Sequence, residues 1–194
     1  MPFVYTGLDV KKAIEIHKTV FVKSEAERGI ENPQIIVDSG KVESVLFHLQ
    51  NDDYYPTFTE KVAHIVYGIN KNHAFNNGNK RASLAISVFF LQLNDHDKFV
   101  YQYQQGMQEV LIWVAKSYVS KSQLERIIEF LLYGNIHDIM YFISQAREYR
   151  EFIEPENAKI SASLLSKMIN EWIDEDFELS DNTITEILEA IGEF

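Results

Sequence analysis

Residues 82–94 read ASLAISVFFLQLN, apolar on nearly every side. A helix of that kind has no polar face to turn to water, so it must run through the centre of a fold with other elements packed around it. The rest of the chain supplies those elements as further helices. From Asp9 to about Lys23, Val10, Ala13, Ile14, His17, Val20 and Phe21 recur along one stripe, with Asp9 as N-cap. Residues 40–50 (GKVESVLFHLQ) keep the same period. Thr57-Phe58-Thr59-Glu60 fits a capping box and opens a stripe through Val62, Ile65, Val66 and Ile69, ending near Asn70. Gln108–Ser117, Ser122–Tyr133, Ile136–Tyr149, Ser161–Ile173 and Thr183–Ile191 read as five more helices. Gly29–Gly40 is broken by Gly, Asn and Pro, and Pro56 interrupts NDDYYPTF at 51–58, where a small hairpin fits. No sustained alternation calls for a sheet, and no repeat is present, so the expected fold is all-α.

The chain has 194 residues, 46% hydrophobic and 24% charged, enough to bury a sizeable core. It has no cysteine, which excludes disulfides, thiolate metal sites and a cysteine nucleophile. MPFVYTGLDV lacks the basic and apolar regions of a signal peptide, and no apolar run is long enough to span a bilayer. A cytoplasmic protein without a membrane partner is the expectation. The net charge of −11 is unevenly placed. Residues 1–134 hold 14 basic and 15 acidic residues; residues 135–194 hold 4 and 14. No basic surface for nucleic acid emerges from that balance. It suggests two parts, 1–134 and an acidic helical extension, 135–194, dividing near Tyr133-Gly134-Asn135.

The chemistry-bearing stretch is NHAFNNGNKRAS at 72–83. Lys80 and Arg81 stand in the first turn of the apolar helix, the end whose dipole repels positive charge. An anion there would resolve the conflict. Exposed amides, a glycine that allows close backbone approach, and two cations would together cradle a polyphosphate. Asn79 would orient the loop or hydrogen-bond phosphate oxygens. His73 could accept a proton near neutral pH and is a candidate general base. Phe75 reads as a buried anchor. The bland alternative is a common Asn-Gly turn beside an ordinary histidine. The P-loop and Rossmann glycine patterns are both missing from the sequence.

HAFNNGNKR resembles the H-x-F-x-[DN]-[AG]-N-K-R signature of the Fic/Doc family, on its death-on-curing side. The flanking segments GKVESVLFHLQ, YPTFTEKVAHIVYGINKNH and ASLAISVFFLQLN are similar to that family's helices and flap in the expected order. The resemblance covers roughly residues 1–134. It implies an all-α Fic/Doc bundle with a short flap hairpin, here followed by a C-terminal helical extension. It implies transfer of a phosphoryl or AMP group from ATP or another nucleotide, with Mg²⁺, to a Ser, Thr or Tyr hydroxyl of a target protein. A toxin role with an antitoxin partner goes with it. By the same resemblance His73 is the general base, Gly78 and Asn79 form the anion hole, Lys80 and Arg81 hold phosphates, and Phe75 anchors the loop. Asp52, Asp53, Tyr54, Tyr55, Pro56, Thr57 and Phe58 look like the flap that positions the target's backbone.

The sequence departs from the family at three places. Asn77 stands where many members carry an acid for Mg²⁺, and an amide is the weaker ligand for a hard cation. Lys80 replaces a glycine, and Leu84 an arginine, of the AMP-transferring pattern, which favours a Doc-like phosphotransfer. The alternative reading is a catalytically weak nucleotide-binding or interaction module regulated by its acidic extension. Three roles are open for that extension: a solvated acidic face, inhibition in cis, or recruitment of a partner with a basic surface. Inhibition would rest on Thr185-Glu186-Ile187-Leu188-Glu189-Ala190, a near match to [ST]-x-x-x-E-[GN], with Glu189 as the inhibitory residue. His17, His48 and His64 read as core-edge residues, and Trp113 and Trp172 as packing anchors.

Overall fold

The computed structural model describes residues 3–153, 159–174 and 179–192, and these are helical throughout apart from their connections. The expected central helix is α4 (Asn79–Leu93), which buries Ala82, Ile86, Phe90 and Leu91. Packed on it are α1 (Val10–Glu27), α3 (Phe58–Lys71) and α5 (Val100–Ala115). Further out, α2 (Ser39–Leu49) lies on α3, and α6 (Lys121–Tyr133) lies on α3 and α5. The last residues form α7 (Ile136–Glu148), the single turn α8 (Arg150–Ile153), α9 (Ala162–Asp174) and α10 (Asp181–Ile191).

Helices α1, α3 and α6 begin where the sequence offers a cap. Asp9 accepts from Lys12 N–H and starts α1. Thr57 and Glu60 close a full capping box on α3, and Ser120 and Gln123 do the same on α6. Two boundaries differ from the sequence reading. α5 starts at Val100 rather than Gln108, and Gly106 within it is a crossing point. A Cβ there would come within 2.3 Å of the Leu131 side chain on α6. The hairpin expected at 50–58 is not formed: residues 51–57 are an irregular turn, and among the described residues no strand occurs. That turn is pinned from inside. Lys61 has no exposed surface, and its Nζ donates to the Leu49 carbonyl at 3.0 Å and pairs with Asp52 at 2.7 Å. The Lys61 hydrogen bond holds the Asp52 carboxyl below the usual range.

Buried side chains from α1 to α10 form one contiguous core. Phe142 of α7 meets Trp113 of α5, Phe130 of α6 and Trp172 of α9 edge to face, with ring centroids 5.6–6.3 Å apart. α9 lies on α6, and α10 on α9. The described helices α7 to α10 thus share the interior of the preceding ones. No helix among the described residues is long and apolar enough to cross a membrane.

Candidate active site

The site is the connection from α3 to α4. After the Asn72 C-cap, His73 takes a left-handed conformation (φ 49°), unusual for a residue with a side chain. Strain of this kind recurs at functional positions. The chain then runs extended through Ala74 and Phe75, both buried, and turns at Gly78 (φ 78°), the N-cap of α4. Glycine adopts that conformation at no steric cost, and it brings no side chain to cap the helix. The first-turn amides of α4 have no partner inside the helix. They open onto a cavity of about 260 Å³ lined by His73, Asn76, Asn77, Gly78, Asn79, Lys80 and Arg81, with Asn70 and Ala115 behind.

Each motif side chain has a definite task. Asn79 uses both ends of its amide on Phe75: its Oδ1 accepts from the Phe75 N–H at 3.0 Å and its Nδ2 donates to the Phe75 carbonyl at 2.7 Å. It therefore orients the loop, with one side-chain N–H and the backbone N–H not used in that clamp. The Oδ1 of Asn77 accepts from the Gly78 N–H at 2.7 Å. Arg81 is drawn toward α1, where it donates to Ser24 and pairs with the buried Glu25 at 3.3 Å. Lys80 is exposed and, among the described residues, has no ion-pair partner.

Two supports of the loop escape a reading of the sequence. Asn76, the unspecified position of the motif, clamps residues 34–36. Its Oδ1 accepts from the Ile36 N–H at 3.1 Å, its Nδ2 donates to the Gln34 carbonyl at 3.3 Å, and its own N–H donates to Ile36. Asp38 N–H donates to the Ala74 carbonyl, and Val37 bridges Phe75 in antiparallel fashion. The second support is His17, which is fully buried under the loop rather than at the core edge. Its ring stacks on Phe75 with centroids 3.8 Å apart, and its Nε2 lies 2.9 Å from the Asn77 carbonyl. Asparagine beside a glycine turn signals a backbone clamp, though not what it clamps. The spacing of α1 places His17 on the inward stripe, though not against the loop.

The segment laid along the motif loop is therefore 34–38, not Asp52–Phe58. Asp52 and Asp53 line a separate surface hollow with Phe47, and Thr57 and Phe58 line another with residues of α6. None of residues 52–58 lines the cavity at His73. Nor does the structure bring Glu189 there: it is exposed on α10, which packs on α9. The carboxylate that reaches the motif arginine is Glu25 of α1.

The fold and the loop together define a helical protein whose central helix begins at a glycine turn beside a cavity lined by His73 and Lys80. A family model described as the Fic/DOC family matches residues 7–91, from just before α1 to the last turn of α4. Over that stretch, 85 of the 194 residues, the chain is similar to the Fic/Doc family. Comparison with curated proteins and with solved structures gave no match.

The donor set does not fit a magnesium ion held by the protein itself. Among the residues lining the cavity there is no carboxylate, and the Asn77 amide oxygen is already taken by the Gly78 N–H.

Proposed function

We propose that this chain is a Fic/Doc-type transferase that moves a phosphate-containing group from ATP to a hydroxyl of a target protein. One observation carries the reading: His73, the free amides at the head of α4, and Lys80 line a single cavity. His73 takes the proton of the attacking hydroxyl. The hydroxyl oxygen forms a bond to phosphorus, and the bond from phosphorus to the leaving oxygen breaks. ADP leaves if the γ-phosphorus is attacked, pyrophosphate if the α-phosphorus is attacked. The α4 amides and Lys80 stabilise the charge on the phosphate oxygens. Magnesium enters with the nucleotide, as part of the substrate. Lys80 and Leu84 in place of glycine and arginine favour γ-transfer of the death-on-curing kind. Residues 34–38, fastened along the loop by Asn76, take the flap role of positioning the target's backbone. An antitoxin partner and a cytoplasmic setting belong to the same reading.

A second reading is favoured by Asn77 and by the Arg81–Glu25 pair: a nucleotide-binding module with little transfer, its arginine held by α1. One comparison separates the two. The proposed enzyme modifies a protein in lysate with Mg²⁺ and ATP, His73→Ala reduces that by at least about 100-fold, and Asn77→Asp raises it. ATP binding without His73-dependent modification, even in Asn77→Asp, supports the module instead.

A further inference from the structure

His17 sits where it can set the direction of one peptide. Its ring lies between Phe75 (3.8 Å, 9°) and Phe21 (5.3 Å, 14°) and has no exposed surface. Its Nε2 is 2.9 Å from the Asn77 carbonyl oxygen. A carbonyl only accepts, so Nε2 carries the proton and Nδ1 is bare. Nδ1 is buried and has no hydrogen-bond partner among the described residues. A histidine kept neutral, with one nitrogen spent on a single carbonyl and the other left unsatisfied, serves that carbonyl.

The Asn77 carbonyl and the Gly78 N–H belong to the same peptide. In a planar trans peptide they point in opposite directions. With the carbonyl held down toward α1, the Gly78 N–H points up, away from α1. There it meets Asn77 Oδ1 at the lining of the cavity. A peptide beside glycine is the one most free to turn over, because glycine accepts either sign of φ. The loop also lies close on the ring: a Cβ at Gly78 would come within 3.2 Å of Nε2 and 3.1 Å of Phe21.

We propose that His17 is a positioning residue for phosphate binding: its Nε2–H holds the Asn77–Gly78 peptide so that the Gly78 N–H faces the cavity. An entering phosphate oxygen then takes the place of Asn77 Oδ1 on that N–H. The ligand half of this claim rests on the nucleotide reading above; the orientation of the peptide does not.

Two variants separate donor from ring. His17→Phe keeps the stack and loses the donor. His17→Gln loses the ring and carries an N–H the same number of bonds from the backbone. In the intact wild type, nitrogen-15 spectra of the imidazole should show a protonated Nε2 and a bare Nδ1. In His17→Phe the Gly78 amide resonance should shift or broaden while the far-UV circular dichroism stays unchanged. Affinity for Mg·ATP should fall about tenfold, the worth of one oriented hydrogen bond, and His17→Gln should recover most of it. An Nδ1–H tautomer, or a folded His17→Phe with an unmoved Gly78 resonance, overturns the proposal. If the wild type does not bind Mg·ATP, the nucleotide reading fails, and the Gly78 resonance alone decides the role of His17. If His17→Phe does not fold, the tautomer and the Gly78 resonance of His17→Gln decide it: Nε2–H with the resonance kept supports the role, and either one failing overturns it.

Discussion

His64 is a half-buried histidine whose protonation works against the fold. Its Nε2 donates to the Val45 carbonyl at 2.9 Å, and its ring stacks on Tyr55. Burial pushes its pKa down from the ordinary 6.5 to about 4, helped by the nearby charges of Lys121 and Lys61. Burial lowers His17 in the same sense. The unfolded chain takes up protons at these histidines below about pH 6.5, and the folded chain refuses them. The stability His64 contributes is therefore present above pH 6.5 and lost as pH falls toward 4, and that of His17 is lost in the same direction. The thermal midpoint should drop over that window, and His64→Gln, which keeps a donor and does not titrate, should drop less steeply. Equal slopes would contradict the assignment. Among single residues, those with chemistry of their own were legible in the sequence: His73, Gly78, Lys80 and Phe75 stand in one motif, and the cavity gathers His73, Gly78 and Lys80. His17 and Asn76 were not, because their roles exist only once α1 and residues 34–36 lie beside the loop.

At the scale of elements, the starts of α1, α3 and α6 follow side-chain caps, while helix interiors answer to neighbours. Gly106 shows the difference. Glycine is a poor helix former, yet this one lies inside α5. In the fold it lets α5 approach Leu131 of α6. Gly106→Ala should cost about 1–3 kcal/mol by overpacking, read as a shift in denaturant midpoint at constant slope. The cost should shrink when Leu131→Ala is already present, because the clash is with that side chain. A cost unaffected by Leu131 would mean that the two helices do not meet there. The stretch at 52–58, which the cavity at His73 leaves out, shows the same dependence on neighbours. Pro56 and the acidic turn at 51–55 look like a loop with a task, yet that turn is fastened to buried Lys61. The segment that lies along the motif loop is 34–38, joined to it by hydrogen bonds between residues some forty positions apart.

For the whole molecule, charge and core tell different stories. Acidity concentrates in residues 135–194, as the sequence shows. The interior does not divide there. Ile139, Phe142, Ile143 and Ala146 of α7 are buried in the core that also holds Trp113 and Phe130. Charge patterning reports the outer faces of helices, and the faces turned inward carry the cohesion. Cutting the chain after Gly134 should therefore uncover Trp113 and Phe130, lower the thermal midpoint and increase binding of a hydrophobic dye. A fragment of residues 1–134 as stable as the full chain would contradict this, so activity is best measured on the intact protein.

The central claim is that the turn at the head of α4 performs group transfer through His73. The most direct test incubates the full-length protein and a cell lysate with Mg²⁺ and ATP labelled separately at the α- and γ-phosphates, with His73→Ala alongside. The account predicts label on a protein from the γ-phosphate, lost in His73→Ala. Label from the α-phosphate that depends on His73 would keep the site and correct the transferred group to AMP. Label that persists unchanged in His73→Ala would contradict the mechanism.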